Sequence, residues 1–152
     1  MARPVTLFTG QWADLPLTEL AKKASGWGYD GLELACWGDH FDAARGARDP
    51  EYCEQQKNIL KENSLNVYAI SNHLAGQLVC DLNNDARSDG FAPSDCAGDP
   101  QKKRNWAVES MKQSAIAAKN MGLNVVNGFT GSSIWHLVYS FPPVSEEQIE
   151  EG

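Results

Sequence analysis

No stretch of the sequence approaches the about 18 consecutive apolar residues that a membrane-spanning helix needs. Basic side chains are the minority: 13 Lys and Arg stand against 20 Asp and Glu, for a net charge of −7. That balance argues against nucleic acid as a partner, because phosphate-backbone binding needs a clustered basic face. The densest basic stretch, Gln101-Lys102-Lys103-Arg104, is short and isolated. The opening MARPVTLFTGQWADL carries one basic residue and no long apolar core, so it does not read as a secretory signal. Cysteine is sparse, at positions 36, 53, 80 and 96, and its spacing matches neither a CxxC pair nor a zinc ribbon. With no export signal, these are expected to be free thiols in a cytoplasmic protein. There is no P-loop, no GxGxxG after a strand, no GxSxG elbow and no HExxH.

What is present is ordinary globular material: 152 residues, 42% apolar and 22% charged. This excludes disordered, collagen-like and coiled-coil classes and fits a single domain. The run Pro4–Thr9 reads as a buried strand. After it, Asp14 is positioned to cap a helix whose apolar stripe is Leu17, Leu20, Ala21 and Ala24. Leu32–Ala35 reads as a second strand, followed by a polar, aromatic loop from Cys36 to Arg48. Asp49-Pro50 is a strong helix start, and that helix should run to about Asn63. Asn66–Ser71 is the third strand. A long loop, 72–99, shows no regular period and is rich in Gly, Asp, Asn and Ser. Asp99-Pro100 opens a third helix carrying Trp106, Met111, Ala115 and Ala118 up to Gly122. Asn124–Phe129 is the fourth strand. After a loop from Thr130 to Val144, Ser145-Glu146-Glu147-Gln148 has the form of a capping box.

Strands alternating with helices mean an α/β fold of parallel (β/α) units joined by right-handed crossovers. Ligands of such folds gather at the C-terminal ends of the strands. The loops beyond those ends hold all three histidines and three of the five tryptophans. Glu33 sits between Leu32 and Leu34. If both leucines face the helices, Glu33 points into a barrel or crevice and needs a cation, a metal or a sugar hydroxyl; otherwise it belongs to a structural ion pair or a solvent-facing edge. His73 follows the third strand and His136 lies beyond the fourth. Each suits metal binding, hydrogen bonding or proton transfer, or else a bond to backbone. His40 reads as a solvated loop residue. Trp12, Trp37 and Trp135 lie just past strand ends, where aromatic faces stack on sugar C–H groups or plug the core. Trp27 and Trp106 read as helix-packing residues. Gly128–Ser133 (GFTGSS) is a small-residue loop whose backbone N–H groups could cradle a phosphate.

The stretches GLELACWGDHF (31–41), AISNHL (69–74) and GFTGSSIWH (128–136) resemble the sugar phosphate isomerase/epimerase family of xylose-isomerase-like TIM barrels. The resemblance implies a (β/α)8 barrel that holds a divalent metal (Mn, Mg, Zn or Co) near its axis and moves protons between adjacent carbons of a carbohydrate, with two acidic residues as acid and base. It also implies that the metal ligands come from strands five to eight. Only first-half residues then carry over: Glu33 and His73, with Trp135 and His136, as substrate-side positions of the pocket.

The expectation is therefore a partial domain over 1–152, about half of a TIM barrel. The substrate-binding candidates are Glu33, His73, Trp135, His136, Trp37 and Trp12; the catalytic residues are unassigned and no metal ligand is assigned. By this reading the chain is a truncated barrel, bound to no metal and inactive alone. It would pair with a second copy or a C-terminal half to cover its sheet edges. The alternative is a small open flavodoxin-like sheet, a non-catalytic ligand-binding or interaction domain.

Overall fold

The computed structural model describes residues 3–81, 85–134 and 143–150. Four strands, β1 (Thr6–Phe8), β2 (Gly31–Ala35), β3 (Asn66–Ser71) and β4 (Val126–Asn127), form one sheet in the order β1-β2-β3-β4, every neighbouring pair parallel. The sheet is open: among the described residues, β1 and β4 are its two edges. The helices are α1 (Leu17–Gly26), α2 (Ala43–Arg48), α3 (Pro50–Lys61), α4 (His73–Gln77), α5 (Pro100–Asn120) and α6 (Glu146–Glu150). No described helix is long and apolar enough to cross a membrane. The chain divides into two compact units, Met1–Asn72 with Lys112–Asn127, and His73–Met111 with Gly128–Gly152.

The first unit contains the sheet and its core. In a strand, successive side chains point to opposite faces. Leu7, Leu32, Leu34 and Ile70 therefore fall on one face, where they pack with Leu17, Leu20, Ala21 and Ala24 of α1 and with Cys53 and Leu60 of α3. Leu32, Leu34 and Ile70 are completely buried. Truncating one of them to alanine should cost about 2–5 kcal/mol. The register slips between Leu32 and Glu33, which pair with Val67 and Ala69, so Tyr68 bulges out of the ladder.

Helix starts follow the sequence at α3, α5 and α6 and depart from it at α1. Asp49 caps α3 by accepting from Tyr52 N (3.1 Å), with Pro50 at the first turn. Ser145 and Gln148 form the expected reciprocal capping box on α6, at 3.2 and 3.3 Å. Asp14, in contrast, does not cap α1. The N–H of Leu17 donates instead to Asp39 Oδ2 (3.1 Å), a carboxylate from the loop after β2. That loop also contains α2, capped by Asp42 through Arg45 N (2.9 Å), where a continuous loop was expected. β1 and β4 are shorter than the runs that announced them.

In the second unit, part of the expected long loop is regular. His73–Gln77 is helical, and short 3-10 turns cover Ala86–Phe91 and Ser94–Cys96. These turns are tied to the first turns of α5. Lys103, completely buried, pairs with Asp89 and donates to the Asp85 carbonyl (2.7 Å) and to Ser88 Oγ (3.3 Å). Lys102 reaches the Asp95 carboxylate (2.8 Å), and Asp99 accepts from Lys102 N (2.9 Å). The buried positions of α5 include Lys103 and Ser114 alongside Ala107, Ala117 and Ala118. Polar residues thus sit in its buried stripe, while Met111 is half-buried and Ala115 exposed.

Ser64 sits just past α3 with φ +59°, the only non-glycine residue in the left-handed region among those described. Leu65 N donates back to the Leu60 carbonyl (3.0 Å), closing the helix end. Ser64→Gly should stabilise the chain by about 0.5–1 kcal/mol, and Ser64→Val should destabilise it by about 1 kcal/mol or more, as read by urea denaturation. A second prediction concerns acid. The Lys103 bond, followed by the Gly98 N–H, holds the Asp89 carboxyl below its ordinary value of 3.8. A lowered folded-state value means the pair contributes fully above 3.8 and is lost as pH falls through the lowered value. Acidification below 3.8 should therefore shift the amide resonances of residues 85–98, and Lys103→Met should show related shifts already at neutral pH.

Candidate functional site

The face of the sheet opposite the leucines carries Phe8, Glu33, Ala35, Ala69, Ser71 and Asn127. Register fixes this set: Phe8 pairs with Glu33, Glu33 with Ala69, Ala35 with Ser71, and Ser71 with Asn127. The two leucines flanking Glu33 do face the helices, which turns its carboxylate to the other side. Ser71 Oγ donates to Glu33 Oε1 (2.6 Å), and Asn127 Nδ2 donates to Glu33 Oε2 (2.7 Å). One acceptor on β2 thus gathers donors from β3 and β4, so that side chains of three consecutive strands meet.

Around this triad the C-terminal strand ends are tightly bonded. Ala35 N donates to Thr9 Oγ1 (2.9 Å), Cys36 N to the Ser71 carbonyl (2.8 Å) and Asn72 N to the Asn127 carbonyl (2.9 Å). Asn72 Nδ2 donates to Ser114 Oγ on α5 (2.9 Å). Desolvation pushes the Cys36 thiol up to about 12, opposed in part by a hydrogen bond with Ser114. At neutral pH Cys36 is therefore a neutral thiol, not a nucleophile.

Trp37 packs edge-on against Phe8, with ring centroids 5.8 Å apart. Because Phe8 pairs with Glu33, this aromatic couple flanks the carboxylate on the β1 side. Gly10 makes the arrangement feasible: a Cβ there would collide with the Phe8 ring and lie 2.7 Å from the Trp37 ring. Trp12 is placed differently. It packs on the helix-side core and tilts against Trp27, 6.0 Å between centroids. Trp27 itself is 53% exposed, not the helix-packing residue its position suggested. His40, expected to be solvated, is completely buried, with Nε2 3.1 Å from the Leu15 carbonyl. His73 opens α4 in the second unit, its ring against Phe129 with centroids 4.7 Å apart. Trp135 and His136 lie outside the described residues.

Ser71, Asn127 and Phe8 were not singled out from the sequence as site residues. Period-two alternation within the strands was the available signal: each lies on Glu33's face once the leucines, Ile70 and Val126 are assigned to the core.

The resemblance implies a divalent metal, and its fit depends on the donor set that the chain offers. Among the described residues, no three His, Cys, Asp or Glu side chains gather to hold an ion. Ser71 and Asn127 both meet the Glu33 carboxylate as hydrogen-bond donors, a role that serves an acceptor and not a cation. The described residues do not fit a metal. Gly10→Ala should swing Phe8 and Trp37 apart, shifting the tryptophan emission maximum while the far-ultraviolet dichroism stays native; an unchanged spectrum would contradict the packing described.

A search of curated proteins finds no match to the chain. The sequence model of the family described as xylose isomerase-like TIM barrel matches residues 21–151, which include the second half of α1, α2 to α6 and β2 to β4. The parallel four-stranded sheet with its helices is consistent with part of such a barrel, and the chain belongs to the xylose isomerase-like TIM barrel family.

Proposed function

We propose that this chain supplies the substrate-binding wall of a carbohydrate isomerase or epimerase that moves a proton between adjacent carbons. The observation that carries the reading is the Glu33 carboxylate, half-buried at the C-terminal side of the sheet and braced by Ser71 and Asn127. A braced acceptor beside an aromatic pair suits a sugar: the carboxylate takes a hydroxyl proton, and Phe8 and Trp37 offer ring surface to C–H groups. Family membership supports the fold side of the same reading.

Proton transfer between carbons needs a base to remove one proton and an acid to return another. Of the six strand residues on the site face, Glu33 is the one carboxylate. In this proposal the described residues bind and orient the sugar, and the acid–base pair and any metal come from a complementary half. That half is a second copy of this chain or a C-terminal half-barrel docking on the free edges of β1 and β4. Val5, 59% exposed beside β1, and Val125, 46% exposed beside β4, give those edges apolar character. Four cysteines without disulfides suit a reducing compartment, so the proposal includes a cytoplasmic location.

The test is sugar binding by the full chain, followed by calorimetry across a panel of ketoses and aldoses. Glu33→Ala should weaken binding about 10–100-fold, the worth of a hydrogen bond to a charged group. Ser71→Ala and Asn127→Ala should each weaken it less, since they act by holding Glu33. Wild-type affinity in the Glu33 variant would overturn the reading. Adding the complementary half should give solvent-deuterium incorporation next to the sugar carbonyl, and sedimentation should show association with it.

A further inference from the structure

The step from Asn127 to Gly128 carries covalent chemistry that the sugar wall does not use. It is the single Asn-Gly pair in the sequence. Asparagine is among the thermolabile side chains, because its amide can be lost to a carboxylate. A glycine after it is the most permissive neighbour: without a Cβ, its backbone nitrogen approaches the side-chain carbonyl carbon at little steric cost. Nucleophile and electrophile belong to adjacent residues, so the attack is internal and needs no encounter.

The local structure leaves the nucleophile untied and holds the electrophile by one bond. β4 is only Val126–Asn127, so Gly128 lies just outside the ladder, and it is exposed. The Asn127 carbonyl is tied to the sheet, accepting from Asn72 N (2.9 Å). Among the described residues, no acceptor takes the Gly128 N–H. β4 is also an edge of the described sheet, with Val125 beside it 46% exposed. The side chain of Asn127 is held from the β2 side, where Nδ2 donates to Glu33 Oε2 (2.7 Å). That nitrogen is the one that loss of the amide would release. Glu33 therefore guards the residue that braces it.

We propose that Asn127 is a self-modification site, where conversion of its amide to a carboxylate disables the Glu33 acceptor. The Gly128 nitrogen gives its proton to solvent and bonds to Asn127 Cγ. The Cγ–Nδ2 bond breaks, ammonia leaves, and a cyclic succinimide remains. Water then opens the ring at either carbonyl, giving aspartate or isoaspartate. Nothing is oxidised or reduced; one amide and one water become one carboxylate and one ammonium ion. Either product removes the donor that Glu33 Oε2 now accepts from and sets a second carboxylate beside the first. Like charges so close disfavour one another's ionised form, so the brace becomes a repulsion. Isoaspartate also adds a methylene to the main chain of β4, displacing the carbonyl that Asn72 N uses. The modification goes beyond the sugar reading and stands whatever ligand Glu33 takes.

The experiment ages the full chain in warm, mildly alkaline buffer and follows each asparagine by peptide mapping with mass spectrometry. Position 127 should convert ahead of the other asparagines, with both aspartate and isoaspartate present and ammonia released in step. Gly128→Ala should slow the conversion about tenfold or more. Glu33→Ala, which frees the amide, should speed it several-fold. If Gly128→Ala fails to fold, Asn127→Gln keeps an amide whose longer side chain closes such a ring far more slowly, and position 127 should then stay unconverted. The product mimic Asn127→Asp should keep a native far-ultraviolet spectrum and show the Ser71 and Asn72 amide resonances of the aged chain. The inference is overturned if position 127 converts no faster than the other asparagines or if Glu33→Ala leaves its rate unchanged. It is equally overturned if Asn127→Asp leaves those resonances at their wild-type positions. Conversion in a chain that binds no sugar would leave the modification standing and sink the proposed function. Sugar binding that persists through ageing, with position 127 intact, would sink the modification alone.

Discussion

The bracing of one carboxylate by two neighbouring strands is the interaction on which the site depends. A half-buried carboxylate with no partner would be costly to desolvate. Ser71 and Asn127 offset that cost from β3 and β4, the one at 2.6 Å and the other at 2.7 Å. Both donors exist at those places because parallel register puts Ser71 opposite Ala35 and Asn127 opposite Ser71. The Tyr68 bulge matters here, because it sets Ala69 opposite Glu33 and so brings Ser71 level with the strand end. Moving β3 by a single residue would send Ser71 into the leucine layer and Ile70 onto the site face.

The element order was legible in the sequence because burial on the helix side imposes it. Leu32, Leu34 and Ile70 announce strands, and Asp49-Pro50 announces a helix through local chemistry that needs no tertiary contact. Glu33 could be recognised for the same reason, as a charge set between two residues bound for the core. The failures have one source. Where a residue is stabilised by something distant, local reading assigns the wrong partner or none. Asp14 looked like the cap of α1 although Asp39 performs it; His40 looked solvated although the Leu15 carbonyl receives it. Lys103 reads as surface charge until the 3-10 turns that enclose it are known. Asn127 reads as an ordinary strand polar residue until Glu33 is seen beside it.

The two units use polar groups in different ways. In the sheet unit, polar side chains are few and face one another across strands, and apolar burial does most of the stabilising. In the other unit, cations from the start of α5 hold acidic turns in place, and the segment His73–Met111 has little apolar core of its own. Charge pairing of that sort is sensitive to salt and acid in a way that leucine packing is not.

The cap that Asp39 lends to α1 has a consequence for the order of events in folding. The helix begins at Leu17, and its terminal donor is satisfied by a residue 22 positions later, beyond β2. A helix of 10 residues is marginal in isolation. It therefore gains its last stabilising bond only after β2 has docked and the chain has turned back over it. α1 and β2 should consequently consolidate in one cooperative step, with the rate set by closure of that loop and not by the helix's own propensity.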